Sequence, residues 1–111
     1  MPSGSGHKLI GVIVGKGMAS KIVAAAKAAG AHGGTIIHGR GTAPRSIYET
    51  ILGIDYEPEK ELVLVSVEAS LADKVLAAVT ETGNLDKPGK GIGFVLDLAK
   101  VYGVAHLGSM V

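Results

Sequence analysis

The chain has 111 residues, room for one domain with a real core and none for a second. Eleven Lys and Arg against ten Asp and Glu leave a formal charge of +1, without the basic stripe of a dedicated nucleic-acid binder. Cysteine is absent, which excludes disulfides, thiolate zinc sites and cysteine catalysis and fits a reducing cytoplasm; no apolar stretch approaches the ~20 residues that span a bilayer.

Met1 to Gly6 lacks the apolar h-region of a signal peptide and reads as a flexible linker or expression remnant. Residues 7–107 read as the single domain, and 108–111 as a tail. His7 to Val14 is a β-rich run stopped by Gly15-Lys16-Gly17. Met18 to Ala29 has helical periodicity, with Met18, Ile22, Ala26 and Ala29 on one side and Gly30 as the stop. Thr35 to His38 is a second short strand, closed by Gly39-Arg40-Gly41. Thr42 to Lys60 is a connector in which Ser46 and Glu49 have capping-box spacing, with Gly53 ending the helical turn they start.

Glu61 to Glu68 is the third strand, and Ser70 is placed to cap a second helix whose Leu71, Val75, Ala78 and Val79 face one way. Thr82-Gly83 closes that helix, Asn84 to Gly91 is a turn, and Ile92 to Val104 is the last strand. The order is β-α-β, connector, β-α-β: an α+β, ferredoxin-like βαββαβ plan with a four-stranded antiparallel sheet and two helices on one face.

Two helices cover one face of such a sheet. Yet Leu9, Ile10, Val12, Ile13 and Val14, and Leu62 to Val65, include neighbouring apolar positions, whose side chains point to opposite faces. Few residues follow the last strand to cover the second face, so the pattern predicts homo-oligomerisation.

Three basic residues each stand between two glycines at a strand end: Lys16, Arg40 and Lys90. Glycine lets backbone N–H groups approach an anion, and the basic side chain adds charge. With strands one and three taken as parallel and two and four running against them, Gly15-Lys16-Gly17 and Gly89-Lys90-Gly91 share one end of the sheet. Gly39-Arg40-Gly41 is then expected at the other end, so that only a neighbouring subunit can bring it to Gly89-Lys90-Gly91. A ligand held by both would sit between subunits.

From Lys8 to Val104 the chain resembles the P-II nitrogen regulatory family. The most specific stretch is Gly91 to Val101, similar to the family's glycine loop followed by F-V-F-D-V-A-R-V; Thr82-Gly83 also fits, and Gly39-Arg40-Gly41 stands where the family has G-F-G. The resemblance implies a cytoplasmic homotrimer in nitrogen metabolism that is not an enzyme. It would bind an adenine nucleotide (ATP, ADP or AMP) or another small anion between subunits, and control a transporter, an enzyme or a transcription factor. Nucleotide- or anion-binding residues carried over are Gly39 and Gly41 at the base of the long loop and Gly89 and Gly91 in the phosphate-facing loop, with Arg40 and Lys90 as the basic residues between them.

Departures bear on the ligand. A family lysine falls on Ile92, two phosphate-holding arginines fall on Gly103 and Ala105, and the lysine beyond the long loop falls near Glu59, beside Lys60. Each lost charge-assisted contact could be worth ~1.5–3 kcal/mol, so triphosphate binding is expected to weaken. A smaller anion, a nucleotide held differently, or no ligand remain the options. Tyr48 and Tyr56 do not match the family's modified tyrosine, so no nucleotidylylation is expected.

His7, His32, His38 and His106 include no i,i+4 helical pair; surface or partly buried imidazoles are the default, with no metal expected, although another ferredoxin-like trimer family is associated with copper tolerance. Asp97 lacks an acid-base partner and reads as a polar strand residue that meets a partner, leaving no catalytic residue assigned. The first helix turns Ser20, Ala24, Ala28 and Ala31 outward, and the second Leu76, Ala77 and Thr80. Alanine's helix propensity accounts for such faces; a second assembly contact, in a natural chain or an engineered self-assembling scaffold, is the sharper alternative.

Overall fold

In the computed structural model, residues 5–41 and 59–103 are described. Six main elements follow in chain order: β1 (His7–Gly15), α1 (Ala19–Ala28), β2 (Thr35–Arg40), β3 (Glu59–Glu68), α2 (Ala72–Gly83) and β4 (Gly91–Asp97). A short 3-10 turn, Ala69–Leu71, leads into α2. The capping-box segment around Ser46 and Glu49 lies outside the described residues, as do Tyr48, Tyr56 and His106.

The strands form one antiparallel sheet in the order β2-β3-β1-β4, with both helices on one face, the ferredoxin-like arrangement. Alternation decides which residues meet the helices. Ile10 pairs with Val65 and Val12 with Val63, and these residues are fully buried with Val14 and Val67. Ile22 and Ala26 of α1 and Ala72, Val75 and Val79 of α2 complete the core from above. Fully burying a Val or Ile side chain contributes ~1.5–3 kcal/mol, which makes this layer the fold's main stabilising contact.

Sequence signals fix most element ends. Gly30 closes α1 at φ 124°, and the Ala31 N–H reaches back to the Ala26 carbonyl at 2.9 Å, the bond of a Schellman cap. At the end of α2 the left-handed residue is Asn84, φ 52°, one place beyond the expected Thr82-Gly83. Gly83 instead belongs to the helix and is buried, because Ile22 and Leu85 pack where a side chain would stand. Ser70 is not the cap of α2: it sits in the 3-10 turn and caps nothing with its side chain. Ala31 is buried rather than outward-facing, drawn in by the same turn that Gly30 makes. β4 ends at Asp97 rather than Val104, near the start of its neighbour β1; Leu98 still donates its N–H to the His7 carbonyl and accepts from the Ser5 N–H.

One topological expectation is overturned. β1 and β3 are antiparallel, while β1 runs parallel to β2 and β3 parallel to β4. Each β-α-β half is a crossover that returns its second strand parallel to its first, and β3 slots between β2 and β1 against both.

Among the described residues no helix covers the second face of the sheet. Its rows carry Ile37, Leu62, Ile13 and Ile92, then Leu64 and Phe94, then Leu9 and Leu96. Ile92 is 61% exposed and Leu96 50% exposed, so the described residues leave apolar surface in water there. No described helix is long and apolar enough to cross a membrane.

Candidate functional site

Because β1 and β2 run parallel, all three glycine-flanked basic residues stand at the same end of the sheet. That corrects the expected separation of Gly39-Arg40-Gly41 from Gly89-Lys90-Gly91: they differ in edge, not in end. Arg40 ends the β2 edge strand and Lys90 precedes the β4 edge strand, with β3 and β1 between them. Three strand spacings of ~4.8 Å put those edges ~14 Å apart, too far for one small anion to be gripped by both corners.

The Arg40 corner is the better formed. A cavity of about 340 Å³ is lined by Lys16, His38, Gly39, Arg40, Glu59 and Lys60. Strand register explains the gathering. Arg40 is opposite Glu59 and His38 is opposite Glu61, on the helix side of the sheet. Lys60 points to the other side, between Gly15 of β1 and Gly39 of β2, and nothing lies within 4 Å of where either glycine would carry a side chain. Gly41 is held close to the aliphatic stem of Lys60, whose Cγ is 3.0 Å from the position of a Cβ there.

Two carboxylates accompany these cations, and they differ in kind. Glu61 is buried, and its Oε1 accepts hydrogen bonds from the Gly17 N–H at 2.7 Å and the Ala19 N–H at 3.0 Å. Its Oε2 lies 3.5 Å from His38 Nδ1. The Ala19 bond, helped by Gly17 and His38 and opposed by burial, holds its pKa below the usual carboxylate value. The Gly15-Lys16-Gly17 corner does hold an anion, and that anion is the protein's own Glu61. The N-terminus of α1, which has no side-chain cap from Met18, is served from β3 instead.

Glu59 is largely exposed and pairs with Lys16, Nζ to Oε2 at 2.8 Å. That hydrogen bond, with the attraction between the two charges, raises the Lys16 pKa and lowers that of Glu59; Arg40 and His38 pull Glu59 further down. The cavity is thus a set of basic side chains with one exposed carboxylate among them.

The Gly89-Lys90-Gly91 corner is set by backbone geometry. Gly89 has φ 77° and Gly91 φ 144°, and a Cβ on Gly91 would collide with the Ile13 carbonyl. Gly91 is therefore glycine to let β4 join β1. Lys90 is exposed. Asp97, at the other end of β4, pairs with Lys8 at 3.4 Å. Among the described residues no three His, Asp or Glu side chains converge as a metal site.

Lys60 and Glu59 join the site through register, which the sequence does not state. Glu61 was legible: counting back from Val67, Val65 and Val63 by twos puts it on the helix side.

Known proteins bear on this geometry. The structure is similar to a crystal structure of Arabidopsis thaliana PII bound to citrate, with a TM-score of 0.65 and 20% identity over 86% of this chain and 79% of that one. No curated protein sequence matches the chain. The family described as nitrogen regulatory protein P-II matches residues 7–106, nearly all of the sheet, both helices and the basic sheet end. By that match over most of its length, the chain belongs to the P-II nitrogen regulatory protein family.

Proposed function

We propose that the chain is a cytoplasmic P-II-type signal regulator, a homotrimer closed over its helix-free sheet face, that takes a small anion between subunits and passes its occupancy to a partner protein. The observation carrying this reading is that the two basic corners share one end of the sheet but lie on opposite edge strands. Side-by-side copies put the Arg40 edge of one next to the Lys90 edge of another, so two half-sites become one cleft. Gly39, Arg40 and Gly41 supply one wall, and Gly89, Lys90 and Gly91 the other. Lys16, His38 and Lys60 enlarge the Arg40 half.

The citrate in the Arabidopsis PII structure supports a small anionic effector. An adenine nucleotide is the finer reading; with Ile92 and Gly103 in place of basic family residues, AMP or ADP suits the chain better than ATP. The role is regulation, without catalysis. Equilibrium titration with citrate, AMP, ADP and ATP tests it, comparing wild type with Arg40→Ala and Lys90→Ala. Each variant is expected to weaken binding ~10-fold or more and keep the oligomer. Absence of binding by every ligand at millimolar concentration would remove the effector.

A second reading has one observation of its own. Ala24, Ala28 and Ala77 are exposed, and a groove of about 540 Å³ runs along α2 past Leu76, Ala77 and Thr80. Such faces suit a subunit of a larger assembly, natural or engineered, and a solution mass well above three chains would favour it.

A further inference from the structure

We infer that the Glu59 carboxylate is a resident competitor in the anion seat, holding Lys16 and facing Arg40 and so weakening the seat for any incoming anion. The inference rests on the anion-binding reading of this corner and adds what limits its affinity. Lys16 Nζ contacts Glu59 Oε2 at 2.8 Å, and Arg40 stands opposite Glu59 in the β2–β3 register. His38, Lys60 and Gly39 complete the cavity that these three residues line.

The neighbouring carboxylate is not available for this role. Glu61 is buried and bound to the backbone of the α1 N-terminus, so displacing it would uncap the helix. Among the described residues, Glu59 has no such duty. Its side chain is 61% exposed and that of Lys16 70% exposed, where an ion pair adds little to stability and exchanges readily with another anion.

The size of the effect follows from charge. A monoanion entering the seat would only replace one carboxylate on Lys16 with another and meet repulsion from Glu59. A phosphoryl group or polycarboxylate engages Lys16 and Arg40 together, and its attraction to the cluster grows with each charge it carries. Removing the Glu59 charge raises the potential of the seat, so the gain in affinity grows with ligand charge as well.

The test uses the full chain in low salt and titrates acetate, citrate and pyrophosphate by calorimetry. Glu59→Gln is expected to bind pyrophosphate and citrate roughly three- to fivefold more tightly than wild type, with a smaller gain for acetate. Glu59→Asp, which keeps the charge, should stay near wild-type affinity. Unchanged or weaker pyrophosphate binding by Glu59→Gln, with binding by wild type intact, overturns the competitor role and leaves the anion site standing. Failure of wild type and Glu59→Gln alike to bind any of the three overturns the site and the competitor together.

Discussion

The ring of Phe94 on β4 lies across Gly11 on β1, on the helix-free side of the sheet, in the space a Gly11 side chain would fill. The two residues are opposite one another in the register, and Gly11 is buried although it has no side chain of its own. An aromatic ring thus shields a bare stretch of strand backbone. Gly11→Ala should push the ring outward and lower stability by about 1–3 kcal/mol in urea unfolding. The cost should shrink when Phe94→Ala is already present. Additive losses in that double-mutant cycle would mean that the ring is not the obstacle.

Glu61 ties β3 to the start of α1 across more than forty residues of sequence, and the tie depends on charge. Its folded pKa lies below the ordinary value of 4.5, so the carboxylate stabilises the fold above that pH. That contribution is lost as pH falls from 4.5 through the folded value. His38 is the titratable side chain facing it, alongside the Gly17 and Ala19 amides. Glu61→Gln should lower the melting temperature by several degrees at neutral pH and flatten the acid limb of the stability curve below about 4.5. Parallel acid limbs for variant and wild type would show that the cap is indifferent to ionisation.

Local patterns carried the elements, and long-range pairing escaped them. Val63, Val65 and Val67 mark the inward face of β3 by alternation alone, and Gly30 marks the end of α1 because few other residues adopt its φ of 124°. Asn84 took the left-handed position expected one residue earlier, since Gly83 is needed where Ile22 approaches. Strand direction leaves no trace in hydrophobic alternation, which reads the same in either sense. For that reason the Arg40 corner was expected at the wrong end, and the cavity shared by Lys16, Arg40, Glu59 and Lys60 could be found only through register. Glu59 was marked only as the place near which a family lysine falls; its pairing with Lys16 became visible once its strand was placed.

The glycines of the 89–91 corner should separate by substitution. Gly91→Ala places a Cβ against the Ile13 carbonyl at φ 144°, a clash with backbone that cannot swing away. It is expected to destabilise the chain by about 1–3 kcal/mol and weaken β4 pairing. Gly89, at φ 77° with open space around it, strains only its own backbone when replaced. Thermal melts of the two Ala variants should rank Gly91 as the costlier. Equal melts would contradict the β4 geometry.

The helix-free face provides the remaining prediction. Ile13 sits in the row Ile37-Leu62-Ile13-Ile92, away from the buried layer formed by Ile10, Val12 and Val14. A charge placed there is solvated in a lone subunit but loses water when copies close over the row in the proposed trimer. Ile13→Glu should therefore leave the helical core intact, with far-ultraviolet circular dichroism unchanged, while sedimentation shifts from oligomer to single subunits. Anion affinity should fall with it, because the Arg40 and Lys90 half-sites then come from separate molecules. An Ile13→Glu protein with wild-type mass and wild-type affinity would move the subunit contact to some other surface, and the shared cleft would have to be rebuilt from different edges.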